Sequence, residues 1–576
     1  MAPLQRQQRL PPAGFKPAQQ PLSGELTRQS SGDGSVLESW KMVNDVVTEA
    51  RKAIIEGRTA LGIELGSTQI KAVLIGPDHV PIGVGSDDWE NQFINRMWTY
   101  SLDAVWGGLQ ACYADVVADV QQRYGIELTS VGALGVSGMM HGYLAFGSDG
   151  KLLTPFRTWR NTHTGEAAGR LSAQFGHNIP HRWSIAHLYQ AVLNGEDHVG
   201  SIAHLTTLAG YVHWQLTGRQ VLGIGEASGM FPIDTTTGSY NPAMLGQFDR
   251  LAAAAGATLR LADLLPAIAL AGQPAGELTH SGAKLLDPAR RLRPGIPMCP
   301  PEGDAGTGMV ATNSVAPRTG NVSAGTSIFA MIVLEHELSQ VHRELDSVTT
   351  PAGDPVAMVH CNNGASELNA WVGLFAEFAN ALGTDVDLST VFEALFTAAR
   401  RGAPDCGGLM SYNYLSGEPI TELDEGRPLF FRSPNGTFNL ATFMRTHLFA
   451  SLATLRIGMD VLREAEGVRL DRMFAHGGLF KTKDVAQSLM AAAIDTPVSV
   501  GETAAEGGAW GIAILAAFLV NSTDGQSLDE FLQNQVFVNI NMRTVDPDPA
   551  DVVGFDAFIE RYVTALPVEQ AAVQYS

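Results

Sequence analysis

The sequence predicts an α/β protein of two large lobes that share a cleft, and three observations carry that expectation. From Ala60 onward, apolar strand runs alternate with helical runs. A strand, a glycine–hydroxyl turn and a second strand stand near the start of this region, and the same order returns at Gly320. The 576 residues exceed what one core holds, since cores split beyond roughly 250–300 residues, so length alone allows two large lobes or three to four smaller domains.

The first 35 residues are rich in Gln, Pro, Arg and Ser and lack the apolar core of a secretory signal, so disorder is expected there. Ser35-Val36-Leu37-Glu38 reads as a capping box, and Leu37, Trp40, Val43, Val47 and Ile54 follow at helical spacing. A helix over 36–57 is expected. Leu61–Leu65 and Lys71–Ile75 are strands around the turn Gly66-Ser67-Thr68, with Val80–Val84 as a third. A helix over Leu102–Tyr124 and a strand over Val131–Val136 come next. The second copy pairs Gly320–Ala324 with Ile328–Val333 around Gly325-Thr326-Ser327. Helices are expected over Leu440–Glu466 and Val485–Ile494, and another leads from Trp510 to Val520. The expected divisions are a lobe over 58–315, a lobe over 316–545 and a tail over 546–576.

Composition narrows the function classes. The chain is 45% hydrophobic and 17% charged with a net charge of −21, which works against binding nucleic acid or an anionic membrane. The longest apolar run, Trp510–Val520, falls short of the ~20 residues of a membrane helix. Cys112, Cys299, Cys361 and Cys406 lie far apart with no C-x-x-C pair, so reduced thiols in a cytoplasmic protein are expected. A homodimer is the default assembly.

Glycine followed by hydroxyl residues at a hairpin tip suits phosphate binding, because the backbone approaches closely and N–H and hydroxyl donors point at the anion. Glu64 precedes the first such loop and is placed to hold Mg²⁺ directly or through water. Pro300-Pro301-Glu302-Gly303-Asp304-Ala305-Gly306 sets two carboxylates in a glycine-rich turn. Asp304 can cap a helix running on to Val315, or it can accept a proton in a cleft; the residues alone leave both open. No G-x-x-x-x-G-K-[ST], H-E-x-x-H or G-x-S-x-G motif is present. Gly223–Gly229 faintly resembles a dinucleotide loop, without a surrounding βαβ unit.

Taken together, these residues resemble the FGGY family of carbohydrate kinases, nearest the pentulokinases, over nearly all of Ala60–Ile540. Gly62-Ile63-Glu64-Leu65-Gly66-Ser67-Thr68 is similar to the family's G-I-D-x-G-T-T, and Ser137-Gly138-Met139-Met140-His141-Gly142 to the S-G-Q-M-H-G of xylulokinases. Thr158-Trp159-Arg160-Asn161, Leu216-Thr217-Gly218, Glu226-Ala227-Ser228-Gly229, Gly303-Asp304-Ala305 and Gly325-Thr326-Ser327 follow in the family's order. Gly477-Gly478 and Glu506-Gly507-Gly508-Ala509 resemble its adenosine-binding stretch.

The resemblance implies two actin-like, hexokinase-type (ribonuclease H-like) lobes, with ATP and a small sugar in the cleft. It implies that Asp304 deprotonates the sugar and that Glu64, with Asp304, holds Mg²⁺. Gly66, Ser67, Thr68, Lys71, Gly325, Thr326, Ser327, Gly477, Gly478 and Glu506 would bind ATP. Met140, His141, Trp159, Asn161, Glu302 and Asp304 would contact the sugar, a ketopentose with D-xylulose ahead of L-ribulose; glycerol, gluconate, hexuloses and a signalling polyol are the family's other substrates left open. Three departures mark a divergent branch: Glu64 for the usual Asp, Gly417-Glu418-Pro419 for G-E-R, and Gly477-Gly478-Leu479-Phe480-Lys481 for G-G-G-A-K. An actin-like ATPase, an idle sugar sensor and a dinucleotide oxidoreductase are the readings from other classes.

Overall fold

The computed structural model describes residues 46–501 and 507–575. Residues 46–49 are the described part of a short N-terminal unit, and the unit from Ala50 onward holds everything below. The expected N-terminal helix is seen over 46–55; its capping box, and the tail before it, lie outside the described residues.

Two sheets organise the large unit. The first contains β1 (Ala60–Leu65), β2 (Gln69–Ile75), β3 (Pro81–Asp88), β4 (Ala133–Gly138) and β5 (Glu302–Gly303), in the order β5-β4-β1-β2-β3. β1, β2 and β3 are antiparallel, whereas β1, β4 and β5 run parallel. β1 is buried on both faces, which is why it reads as an almost unbroken apolar run. Between β3 and β4 lies α1 (Leu102–Tyr124), with the Ser101 hydroxyl accepting from the Ala104 N–H and Gly125 closing the helix at φ +65°. Its bounds are those its apolar spacing predicts. The third strand runs longer than expected, because Pro81–Asp88 pairs along the whole of β2.

A short helix, α2 (Ile224–Ser228), and α3 (Asp304–Ala311) complete the parts of this half that bear on the cleft. α3 stops at Ala311, short of the expected Val315, where the Ser314 N–H turns back to the Met309 carbonyl.

The second sheet contains β6 (Thr319–Ala324), β7 (Ile328–Val333), β8 (Leu345–Thr349), β9 (Pro355–Cys361), β10 (Arg472–His476), β11 (Val498–Gly501) and β12 (Met542–Val545). Its order is β8-β9-β7-β6-β10-β11-β12. At its centre β9-β7-β6 are antiparallel while β6, β10 and β11 are parallel, the same arrangement as β3-β2-β1-β4-β5. The echo between the two glycine–hydroxyl hairpins is therefore an echo of topology. α4 (Leu440–Asp460) and α5 (Val485–Ile494) pack on this sheet, and α4 ends in a π-turn over Val461–Ala465.

The last piece, α6 (Gly507–Asn521), lies across the first sheet. A Cβ on Gly62 of β1 would stand 2.1 Å from the Ala509 carbonyl oxygen, so only glycine admits the helix at this depth. All four cysteines are buried and free. Among the described residues no helix is long and apolar enough to cross a membrane.

Candidate active site

The parallel strands decide what meets in the cleft. In register, Leu65 of β1 lies beside Gly138 of β4, and Gly138 beside Gly303 of β5. Their carboxyl ends deliver Glu64 and the Gly66–Thr68 loop, Met140 and His141, and Asp304 to one place. Ligands of parallel sheets bind at that edge. On the second sheet Ser323 pairs with His476, which brings the Gly325–Ser327 loop beside Gly477.

Asp304 is the first residue of α3, with Gly303 at the cap position. Its Oδ1 accepts from the Met140 N–H at 3.1 Å and from the Ala305 N–H at 3.0 Å. The residue is open to solvent at the cleft floor, yet the walls around it exclude bulk water and raise its pKa, opposed by backbone N–H groups led by that of Met140. The cap position thus falls on Gly303, which makes no side-chain cap bond, and Asp304 spends one oxygen on amides while its carboxylate still faces solvent.

Glu64 is half-buried on β1, directly opposite Lys71 of β2. Its pKa is raised to about 7, by burial first and by the Asp304 charge second, against the pull of Lys71 and the Ala509 N–H. Gly508 closes this corner: a Cβ there would stand 2.3 Å from Glu64 Oε1 and 2.7 Å from Thr307 Oγ1. The Thr307 hydroxyl in turn pairs with that of Ser137 at 3.1 Å.

Each glycine–hydroxyl loop has its carbonyls tied from outside. In the first, Trp89 Nε1 donates to the Gly66 carbonyl at 2.7 Å and the Tyr100 hydroxyl to that of Ser67 at 2.6 Å. In the second, the Gly364 N–H donates to Thr326 and the Ala365 N–H to Gly325, both at 2.8 Å. The Gly66 and Gly325 N–H groups are spent within their own hairpins, on the carbonyls of Gln69 and Ser327, so the hydroxyls and the amides that follow are the groups suited to meet an anion. Gly477 sits at φ +110°, where a Cβ would stand 2.4 Å from the Ala324 carbonyl, and Gly478 faces open space. Glu506 lies outside the described residues.

On the expected sugar side, His141 adopts φ +69° and its Nδ1 lies 3.1 Å from the Gly229 carbonyl. Burial, then the Arg182 charge, pushes its pKa down to about 3, so the ring stays neutral with Nδ1–H donating. Met140 packs its side chain toward Gly303. Trp159 is half-buried in a turn.

Two expected sugar contacts need correction. Glu302, 1% exposed, turns away from Asp304 and accepts from the N–H groups of Glu226 at 2.8 Å and Gly225 at 3.3 Å. Burial raises its pKa to about 8. A Cβ on Gly223 would stand 2.1 Å from its carboxylate, so Glu302 itself fills the loop that faintly resembled a dinucleotide cradle. Asn161, 3% exposed, spends its amide on framework: Oδ1 accepts from the Trp98 N–H, and Nδ2 donates to the carbonyls of Trp98 and Thr158.

Residues that sequence reasoning missed line the neighbourhood. Arg182 forms an ion pair with Asp346 of β8, and Arg160 lies 3.9 Å over the Trp98 ring. His360 of β9 and Arg182 both act electrostatically on His141. Arg160 falls inside the Thr158–Asn161 motif but was not singled out, whereas no motif marks Arg182, Asp346 or His360, which meet only through the fold.

Among the described residues no group of three or more His, Cys, Asp or Glu is placed to hold a metal. Glu64, next to the Gly66–Thr68 loop and within reach of the charge of Asp304, has the donor chemistry of Mg²⁺ sites in which one or two carboxylates are joined by nucleotide phosphates.

The N-terminal domain of the FGGY family of carbohydrate kinases matches residues 59–304, and its C-terminal domain matches residues 320–520. The chain belongs to that family. It is therefore an ATP-dependent carbohydrate kinase of the two-domain FGGY fold, as the ordered motifs imply. Solved FGGY-type structures share this fold at low identity. A xylulose kinase from Rhodospirillum rubrum is 20% identical with a TM-score of 0.73, over 89% of this chain and 100% of that one. A gluconate kinase from Lactobacillus acidophilus is 17% identical with a TM-score of 0.71, over 90% of this chain and 99% of that one. A glycerol kinase from Plasmodium falciparum with ADP is 13% identical with a TM-score of 0.69, over 88% and 97%. Their names span three substrates on one fold.

Proposed function

We propose that this FGGY kinase phosphorylates the terminal hydroxyl of a ketopentose, D-xylulose ahead of L-ribulose, with Asp304 as general base. The observation that carries this reading is the setting of Asp304: a carboxylate open to the cleft, anchored by the Met140 N–H beside His141, with its pKa raised. One oxygen is held by amides, and the other is left for the proton of the incoming hydroxyl. A raised pKa makes the carboxylate a better match to that proton.

Asp304 takes the proton as the sugar oxygen attacks the γ-phosphorus in line. The bond from that phosphorus to the β,γ-bridging oxygen breaks, and ADP leaves. The Gly66–Thr68 and Gly325–Ser327 loops and Lys71 hold the phosphates, while Gly477 and Gly478 border the adenosine side. Glu64 would hold Mg²⁺, which would supply neutralisation of phosphate charge when bound, while the one free oxygen of Asp304, expected from the resemblance to share the metal, is kept for the proton. Neutral His141, with Nδ1 spent on Gly229, presents Nε2 as an acceptor for a sugar hydroxyl, and Met140 and Trp159 border the same space. Positioning and charge neutralisation supply most of the rate in phosphoryl transfer.

A coupled ADP-release screen over purified ketopentoses, aldonates and polyols tests the reading. Turnover with D-xylulose or L-ribulose well above the rest supports it. Preference for gluconate or glycerol overturns the ketopentose assignment, and silence on every sugar with intact ATP binding overturns the sugar reading.

A further inference from the structure

We infer that Asn363 and Glu418 form a buried clamp that sets the Gly325–Ser327 loop for the nucleotide, acting as positioning residues that do not touch it. This rests on the reading that the loop holds phosphate.

Glu418 is 0% exposed and Asn363 4%. Glu418 Oε2 accepts from the Asn363 N–H at 3.2 Å and from Asn363 Nδ2 at 3.1 Å. Asn363 Oδ1 accepts from the N–H groups of Leu415 at 2.9 Å and Ser416 at 3.1 Å. Asn413 Nδ2 donates to the carbonyls of Asn363 and Gly364, each at 2.9 Å. The segment fixed in this way is the one whose next two amides hold the loop: Gly364 N–H on Thr326 and Ala365 N–H on Gly325.

The joint has no slack. A Cβ on Gly364 would stand 2.6 Å from the Gly325 carbonyl oxygen and 2.9 Å from that of Thr326. Among the described residues no cation pairs with Glu418, and burial raises its pKa. A buried carboxyl without a counter-ion is costly to keep unless its partners need it. Its partner here is the backbone that carries the loop.

The test is steady-state kinetics with each substrate varied, alongside calorimetric binding of ATP without sugar. Glu418→Ala and Asn363→Ala are expected to raise the KM for Mg-ATP about tenfold and leave the sugar KM within about twofold. Glu418→Gln, which keeps an acceptor oxygen in place, should restore the ATP KM to within about threefold of the parent. An unchanged ATP KM, or a parallel rise in both KM values with a lowered Tm, overturns the clamp. Should the alanine variants fail to fold, Gly364→Ala presses on the same carbonyls and must show the same ATP-selective loss. Weaker ATP binding in Glu418→Ala without turnover on any sugar supports the clamp while removing the sugar reading. Normal turnover with unaltered ATP binding does the reverse.

Discussion

Glu64 of β1 and Asp304, just past β5, stand at the carboxyl ends of the two strands that flank β4, and the charge of Asp304 helps burial hold Glu64 at a pKa of about 7. A carboxyl that ordinarily ionises near 4.5 is thus moved up towards neutral pH in the ligand-free protein. Its raised pKa means that the folded state binds more protons than the unfolded state between about pH 4.5 and 7. The stability gained from the protonated form is complete below that window and lost as pH rises through it. Thermal melts of the ligand-free protein should therefore show Tm falling from pH 5 to pH 8. Glu64→Gln should flatten the fall, with Glu302→Gln acting in the same direction through its pKa of about 8. A Tm that rises across this window in the parent would contradict the assignment.

The same ionisation governs nucleotide binding. Mg²⁺ requires Glu64 as carboxylate, so the KM for Mg-ATP should fall as pH rises from 6 to 8, and in Glu64→Gln it should stay high and flat. Initial rates at fixed saturating sugar read this directly. A parent KM that is flat over this range would argue against Glu64 as a metal-side residue.

Gly508 makes a packing prediction. Gly508→Ala forces a methyl group into Glu64 Oε1 and Thr307 Oγ1, which an added Cβ would meet at 2.3 Å and 2.7 Å. Overpacking of this kind costs about 1–3 kcal/mol. Denaturant unfolding should show that loss, together with weakened Mg-ATP binding. A variant as stable and active as the parent would mean that α6 sits further from β1 than described.

His141 should act on sugar alone. His141→Gln is expected to raise the sugar KM about tenfold with the ATP KM unchanged, the size expected for a lost hydrogen bond in a closed site. Because the ring stays neutral with its pKa near 3, the parent's sugar KM should show no histidine titration between pH 6 and 8. A titration near pH 6.5 assigned to this ring by NMR would refute the buried, neutral setting.

Much of this was legible wherever the signal is local. Leu102–Tyr124 and Val485–Ile494 have the bounds that their apolar spacing predicts, and both glycine–hydroxyl hairpins form as read. Glu302 was misplaced because two carboxylates two residues apart look equivalent in a sequence. Here a strand ends at Gly303 and a helix begins at Asp304, so one points to the Gly225 and Glu226 amides and the other to the cleft. Asn161 was read as a sugar ligand for want of sight of Trp98, which is 63 positions away and takes up its amide. The Arg182–Asp346 pair and the Asn363–Glu418 clamp join segments that are 164 and 55 positions apart. Such contacts leave no spacing pattern to find.

The central claim is that Asp304 takes the proton of the sugar hydroxyl. Asp304→Asn keeps the side chain's shape and an oxygen for the Met140 amide, and removes only the base. Single-turnover transfer from radiolabelled ATP to D-xylulose should slow by about a thousandfold or more, with ATP affinity within about threefold of the parent. Transfer in Asp304→Asn within tenfold of the parent rate would contradict the assignment.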